Sequence, residues 1–323
     1  MTLVSEDRII AFIEKAGWKD AWRHALAGDA SSRRYERLTQ KDKTAILMVD
    51  PSIETMDRFV RVTGLLHKMG YSAPEILTRQ KDEGLLLLED FGDRLFTQCI
   101  EQGAPATDLY RLAVDLLLDL RTQKLPENLP YFSPSYVLNQ NALFLDWFVS
   151  DVNGRPVPEN ARLFYQQIWQ ELMVELGSME EVFLFRDFHA ENMMHLEQRS
   201  GLKALGLIDY QDAMIGPAAY DLVSLLQDAR RDVGAGLEQE MLTHYIEQSG
   251  VDHNVFYRQY AIFGAHRALR ILGIFTRLSK RDGKDRYQKF VPRVKSHLSR
   301  NLAHPDLLPL QHWLALTLGK ALE

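Results

Sequence analysis

The sequence predicts an α+β protein whose strands are short and whose C-terminal two-thirds is mostly helical. Strands are predicted at Tyr35–Thr39 and Thr44–Val49, on either side of the turn Gln40–Lys43, and at the apolar run Gly84–Leu88. From Leu95 onward most apolar residues recur at the spacing of a helix face. Three further strand-like runs interrupt this region between residues 182 and 208. We therefore expect a small antiparallel sheet near the N-terminus and a larger, mostly helical C-terminal part.

Composition and charge exclude several classes of protein. With 323 residues, 46% of them hydrophobic and 25% charged, the chain is long enough for two lobes and has a soluble globular composition. Its net charge of −6 disfavours binding to nucleic acid. The single cysteine, Cys99, cannot form an intramolecular disulfide. The charged N-terminus lacks a signal-peptide core, and no run reaches the ~18 apolar residues of a membrane span. We expect a cytoplasmic protein with no membrane or nucleic-acid partner, acting as a monomer.

Apolar residues at helical spacing place the main helices. The first is expected to begin after Ser5 and end near Gly17, and the second to cover Ile53–Met69. The Pro-rich segment Pro126–Pro134 is interpreted as a connection. Further helices are predicted over Asp108–Arg121, Asn141–Val149, Ala161–Leu176 and Tyr220–Gln227.

The chemistry is predicted to lie on the three short strands near the middle of the chain. The run Val182–Phe185 is followed by Asp187 and, five residues later, by Asn192, while the run Leu205–Ile208 ends at Asp209. Asp187 and Asn192 therefore bracket a loop, and Asp209 ends the second arm of a hairpin. Phosphoryl transfer needs a carboxylate to accept a hydroxyl proton and oxygen ligands for magnesium. Asp187 is the candidate catalytic base, and the candidate metal ligands are Asn192 and Asp209.

These motifs resemble those of a known superfamily. FRDFHAEN, residues 185–192, is similar to the catalytic loop H-x-D-x-H-x-x-N, and LIDYQDA, residues 207–213, stands where protein kinases have D-F-G. PAAYDLVSLL follows, with Asp221 in a usual position. The chain thus resembles the protein-kinase-like superfamily and, within it, the aminoglycoside-phosphotransferase-like small-molecule kinases. Phe185 replaces the first His, which is mainly a structural prop in that family.

The resemblance implies a bilobal protein-kinase-like fold. The N-lobe, with an N-terminal helix, would cover residues 1–88, a hinge residues 89–93, and the C-lobe residues 94–323. LLLLEDFGD resembles the family's hinge, whose backbone groups hydrogen-bond the adenine edge, so Leu88, Glu89 and Asp90 are candidate nucleotide-binding residues. A simple strand-to-turn transition is the alternative interpretation.

A second candidate nucleotide site lies before the first predicted strands. In GDASSRRY small residues let backbone amides approach an anion, and hydroxyls and arginines add donors. The candidates are Ala30, Ser31, Ser32, Arg33 and Arg34. The segment lacks the G-K-[ST] of a Walker loop, and a solvated turn is the alternative interpretation.

One departure from the family pattern affects this site. Most kinases carry a phosphate-orienting lysine on the strand at Thr44–Val49, where the aligned residue here is Met48. Arg33 or Arg34 is expected to supply the missing charge, with Lys43 a weaker candidate. The departure also leaves open a nucleotide-binding pseudokinase.

Several segments, including GDASSRRYERL and QDAMIGPAAYDLVSLLQDARRDV, are most similar to bacterial anomeric amino-sugar kinases. The resemblance implies an ATP- and Mg²⁺-dependent kinase that phosphorylates the C1 hydroxyl of N-acetylmuramate or N-acetylglucosamine in peptidoglycan recycling. Aminoglycoside, choline and homoserine-type kinases are the alternatives. From His266 to Arg300 there are eleven Lys/Arg and two acids. This excess indicates either a solvated helical face or attraction of an anionic ligand, whereas aminoglycoside kinases line their acceptor site with acids.

Overall fold

The computed structural model describes residues 4–26, 33–177 and 179–322. The chain forms two compact units, each made of two segments. The first unit comprises Met1–Leu112 and Ala190–Ala213, and the second comprises Ala113–His189 and Met214–Glu323. Asp187 therefore belongs to the second unit, and Asn192 and Asp209 to the first. None of the helices in the described ranges is long and apolar enough to cross a membrane.

The first unit is built on an antiparallel five-stranded sheet with the strand order β1-β2-β3-β5-β4. The predicted strands of this region are confirmed to within one residue at each end. Its strands are β1 (Trp22–Ala25), β2 (Arg34–Gln40), β3 (Lys43–Val49), β4 (Ile76–Gln80) and β5 (Leu85–Leu88). Gly84, just before β5, has φ +67°, and a Cβ there would lie 2.1 Å from the carbonyl oxygen of Asp50. Glycine is required at this turn, because any side chain would collide with backbone.

Alternation along β3 decides which side chains face each side of this sheet. Helix α1 (Glu6–Lys15) covers one face, where its buried side chains share a core cluster with Ala45, Leu47 and Val49 of β3. Met48 therefore points to the opposite face, and it is fully buried. The position predicted to lack the kinase lysine is thus occupied by a core methionine.

The rest of the first unit consists of helices α2 (Ile53–Lys68) and α3 (Phe96–Glu101) and a hairpin of β7 (Met193–His195) and β8 (Leu205–Leu207). Ser52 caps α2 by accepting a hydrogen bond from the amide of Thr55. The ring of Phe59 stacks on Tyr210 with centroids 5.1 Å apart, and the Thr63 hydroxyl hydrogen-bonds the Tyr210 hydroxyl at 2.8 Å. These contacts fix the chain just after β8 against α2.

The second unit is mostly helical, which confirms the predicted α+β class. Its described residues contain one antiparallel strand pair, β6 (Glu181–Leu184) with β9 (Met214–Pro217). Helix α4 (Ala106–Leu120) begins in the first unit and ends in the second. The other main helices are α5 (Pro134–Leu143), α6 (Ser150–Asn153), α7 (Glu159–Leu176), α8 (Ala219–Leu226), α9 (Ala235–Ser249), α10 (His253–Lys280), α11 (Val291–Leu302) and α12 (Leu308–Leu318).

One helix boundary was predicted wrongly. A helical run extends from Pro134 through a π-helical stretch, Phe144–Val149, to Asn153, so it begins seven residues before the predicted Asn141. Ser133 caps it and Pro134 occupies its first turn. Proline is tolerated there because its missing N–H would have no partner within the helix. A proline interpreted as part of a connection was in fact a helix start.

Candidate active site

The loop that carries Asp187 is held by a carboxylate of α8. The backbone amides of Phe185 and Arg186 donate to the two oxygens of Asp221 at 2.6 and 2.9 Å. The Ser224 hydroxyl, on the same helix, donates to the carbonyl of Arg186 at 3.3 Å. Arg186 has φ +73°, a left-handed conformation that a non-glycine residue keeps only when its surroundings enforce it. The α8 side chains therefore set the course of the backbone into Asp187.

Asp221 is only 1% exposed. Burial raises the pKa of its carboxyl to about 7, although the two amide donors and Arg267 act in the opposite direction. The carboxyl is thus a buried anchor rather than a solvent-facing acid. From sequence, Asp221 is noted only as standing in a usual position of the family. Its hydrogen bonds indicate that it holds the backbone at Phe185 and Arg186.

Three arginines surround Asp187 within the second unit. Arg267 Nη1 lies 3.9 Å from Asp187 Oδ1. Burial alone would raise the pKa of Asp187, but Arg270, Arg267 and Arg186, in that order, outweigh it and lower the pKa to about 2. Asp187 is therefore fully ionised at neutral pH, which is the form in which a carboxyl group can accept a proton.

Two of these arginines come from α10 and are well buried. Arg267 is 4% exposed and Arg270 8%. Within the described part of the chain, Arg267 Nε and Nη1 make no hydrogen bond. The prediction from sequence identified the basic stretch from His266 to Arg300 but no individual residue in it. Their spacing of three indicates only that both lie on one face of a helix, and it does not indicate that this face packs against the catalytic loop.

The two predicted metal ligands lie at the same end of the β7–β8 hairpin. Met193 pairs with Leu207, and the amide of Ile208 donates to the carbonyl of Asn192 at 3.1 Å. Asn192 thus immediately precedes one arm of the hairpin and Asp209 follows the other. Asp209 has φ +60°, and its side chain is 45% exposed. The sequence correctly placed both residues at the ends of strands.

Arg33 connects the main sheet to this hairpin. Its guanidinium donates to Asp209 Oδ1 at 3.0 Å and to Gln211 Oε1 at 2.8 Å, and its Nε lies 4.0 Å from Asp50 Oδ2. Burial alone would lower the pKa of Arg33, but Tyr35, Asp209 and Asp50 raise it above its ordinary value. Arg34 is exposed on β2. Of the two candidate arginines, only Arg33 contacts a predicted metal ligand in the described residues.

The donor set of the hairpin fits a magnesium ion. It offers an amide oxygen from Asn192 and a carboxylate from Asp209, and Mg²⁺ is usually bound by one or two protein oxygens together with waters and substrate phosphates. Among the residues that the structure describes, no group of three or more His, Cys, Asp or Glu could hold a metal. A metal cage made of protein side chains alone is therefore not present in these ranges.

The remaining candidate nucleotide-binding residues fall into two sets. Ala30, Ser31 and Ser32 lie outside the described residues. In the predicted hinge, Leu88 ends β5 and the amide of Glu89 donates to the carbonyl of Glu75 at 2.8 Å. That amide is already used, so a nucleotide base would need other backbone groups of this segment.

The fold and the site define a class of protein. A model of the phosphotransferase enzyme family (APH) matches residues 22–256, and the chain belongs to this family. Solved structures share the fold. The ADP-bound aminoglycoside phosphotransferase APH(2'')-Ib has a TM-score of 0.64 and 14% identity, over 93% of this chain and 100% of that one. Choline kinase LicA from Streptococcus pneumoniae has a TM-score of 0.63 and 16% identity, over 90% of this chain and 100% of that one. The predicted protein-kinase-like fold is therefore confirmed.

Curated relatives are similar over nearly the full chain. The N-acetylmuramate/N-acetylglucosamine kinase of Caulobacter vibrioides is 34% identical over 97% of this chain and 97% of its own. The enzymes of the same name from Neisseria meningitidis serogroup B and Pseudomonas aeruginosa are 31% and 30% identical. They cover 91% and 90% of this chain, and 90% and 86% of their own. The resemblance that the sequence motifs indicated is confirmed.

Proposed function

We propose that this protein is an ATP-dependent sugar kinase that phosphorylates the anomeric C1 hydroxyl of N-acetylmuramate and N-acetylglucosamine, in the recycling of peptidoglycan. The names of its relatives support the sugar class. The presence of Asp187, Asn192 and Asp209 in their expected strand contexts supports catalysis over a pseudokinase, because a scaffold needs none of the three.

The observation that carries the choice of acceptor is the arginine cluster around Asp187. Arg186, Arg267 and Arg270 all lower the pKa of that carboxyl, so positive charge exceeds negative charge at the base. A polycationic aminoglycoside would be repelled there, because like charges at short range in a partly buried site cost free energy. A neutral or anionic sugar is favoured.

In the proposed mechanism Asp187 accepts the proton of the acceptor hydroxyl while the hydroxyl oxygen bonds to the γ-phosphorus of ATP and ADP leaves with the bridging oxygen. A carboxylate with a low pKa is a weak base. An anomeric hydroxyl is more acidic than an ordinary sugar alcohol, so it gives up its proton to such a base more readily. Asn192 and Asp209 would hold the magnesium ion, which neutralises phosphate charge when bound. Arg33 orients Asp209 and adds a positive charge beside it. Backbone groups of the segment Leu88–Asp90 are proposed to hydrogen-bond the adenine edge.

Two measurements test this function. Magnesium-dependent ATP consumption should be seen with N-acetylmuramate and N-acetylglucosamine, and the 1-deoxy sugar should be inert while the 6-deoxy sugar is phosphorylated. Asp187→Asn should lower turnover by about two orders of magnitude or more while ATP still binds. Phosphorylation of the 1-deoxy sugar alone would make the enzyme a 6-kinase, and near wild-type turnover in the variant would remove Asp187 as the base. Rapid reaction with kanamycin and none with either N-acetyl sugar would favour an antibiotic kinase. An absence of ATP consumption with every acceptor tested would favour a pseudokinase.

A further inference from the structure

Two arginines near Asp187 are each held by a different residue of one helix. Arg270 Nε donates to Gln140 Oε1 at 2.9 Å, and the guanidinium carbon of Arg186 lies 5.6 Å from the centre of the Tyr136 ring. Tyr136 and Gln140 are four residues apart on α5, so they are neighbours on one helix face, with Cβ atoms about 5–6 Å apart. The two guanidinium groups therefore come from α10 and from the catalytic loop and approach the same face of α5.

This arrangement holds the two arginines in place. Arg186 is fixed at its backbone by Asp221 and Ser224 of α8 and at its side chain by the Tyr136 ring. Arg270 is fixed by Gln140 and is 8% exposed. Within the described residues, Arg186 Nε is buried without a hydrogen-bond partner. Rigid, partly desolvated guanidinium groups are well suited to bind a carboxylate through paired N–H donors.

The two sugars of the proposed function differ in one charged group. N-acetylmuramate is N-acetylglucosamine with a lactyl ether at C3, which adds a carboxylate, and a single ring carbon separates C3 from C1. A sugar whose C1 hydroxyl faces Asp187 would keep that carboxylate close to the groups that flank this base. We propose that Arg186 and Arg270 form a subsite that binds the lactyl carboxylate and so gives the enzyme its preference between the two sugars.

This inference rests on the proposed function, and its test compares acceptors within one protein. Arg186→Gln and Arg270→Gln keep most of each side chain but remove its charge. The ratio of kcat/KM for N-acetylmuramate to that for N-acetylglucosamine should fall by about tenfold or more in each variant, since a hydrogen bond to a charged group contributes about 1.5–3 kcal/mol. The primary amide of N-acetylmuramate, which has the same size and no charge, should be a poorer substrate than the acid for the wild type. It should be nearly equal to the acid for Arg270→Gln.

Lys280→Gln is the matched control variant. It removes one positive charge from the exposed end of α10, where Lys280 pairs with Asp151 at 2.8 Å, and it should leave the ratio unchanged. Circular dichroism and ATP affinity would show that each variant is folded and binds nucleotide. Equal losses for both sugars, or a raised KM for ATP alone, would overturn the subsite and assign the arginines to the phosphates. In that case the sugar-kinase proposal would stand, whereas it would fail if the wild type phosphorylated neither sugar.

Discussion

The guanidinium of Arg33 lies 3.0 Å from the carboxylate of Asp209, so the residue just before β2 directly contacts a predicted metal ligand that follows β8. The same guanidinium lies 4.0 Å from Asp50, which is 2% exposed. Met48, the residue at the usual lysine position, is buried in the core. Arg33, which immediately precedes β2, therefore places a positive charge beside Asp209, and among the described residues we propose it as the replacement for the missing lysine.

Arg33→Ala should reduce both nucleotide affinity and turnover, whereas Arg34→Ala should leave both within about twofold because Arg34 is exposed. The first change also removes the stronger of the two cations, Arg33 and Arg58, that act on the buried carboxylate of Asp50. Breaking a buried ion pair from one side costs about 3–5 kcal/mol, so the free energy of unfolding should fall in Arg33→Ala alone. Steady-state kinetics, nucleotide titration and urea unfolding of the two variants make the comparison. Equal effects of the two changes would contradict the assignment.

Arg270→Gln should shift the pH dependence of the reaction. Arg270 is the strongest of the charges that lower the pKa of Asp187 to about 2, and removing a cation disfavours the ionised form. The pKa should therefore rise, and burial would then favour the protonated acid further. With N-acetylglucosamine, which lacks a carboxylate, the wild type should show no acidic limb in kcat/KM above about pH 4. The variant should lose activity at a higher pH, and superimposable profiles would show that Arg270 does not act on Asp187.

Much of this site could be predicted from sequence because strand ends and loop spacing are local properties. Asp187, Asn192 and Asp209 follow or precede short apolar runs, and the structure places the strands where those runs are. Arg267 and Arg270 could not be chosen in the same way. Which face of α10 meets the catalytic loop is decided by packing against other helices, and that packing has no local signature in a segment with many cations. The contact between Arg33 and Asp209 joins residues 176 positions apart, so no motif predicts it.

Asp221 gives a stability prediction with a definite sign. Its pKa is raised to about 7 in the folded protein and is about 3.9 in an unfolded chain. Between these values the folded state binds more protons, so the contribution of this group to stability is greatest below about pH 4 and is lost as the pH rises to about 7. The amide in Asp221→Asn does not titrate, so the stability of this variant does not fall for this reason as the pH rises.

Urea unfolding of the wild type and Asp221→Asn at pH 4.5 and pH 7 measures the effect. The variant should gain stability relative to the wild type by about 3 kcal/mol between the two pH values, within the limit of about 1.4 kcal/mol per pH unit. Asp221→Ala should be less stable than Asp221→Asn at both, because it leaves two buried amides without an acceptor, at about 1–3 kcal/mol each. A pH-independent difference between wild type and Asp221→Asn would show that the carboxyl does not titrate in this window.

Gly273 permits the contact between the two helices that carry the proposed carboxylate subsite. A Cβ at this position of α10 would lie 2.4 Å from the carbonyl oxygen of Leu143, at the end of α5. The Leu143 carbonyl is part of the backbone, so it cannot relieve the clash by changing rotamer as a side chain could. The close approach brings α10 against the helix that carries Tyr136 and Gln140, so the spacing of the two helices depends on the absence of a side chain.

Gly273→Ala should therefore destabilise the protein, although alanine is by itself the better helix residue by about 1 kcal/mol. Overpacking a close contact costs about 1–3 kcal/mol or more, and here the whole α5 backbone must move. Gly64→Ala is the matched control, because Gly64 is an exposed position of α2 with no atom within 4 Å of an added Cβ. It should raise the free energy of unfolding by about 0.4–1 kcal/mol. Thermal unfolding of both variants tests the contrast, and the preference for N-acetylmuramate should fall in Gly273→Ala alone. A stabilised Gly273→Ala would mean that α10 and α5 are not in such close contact.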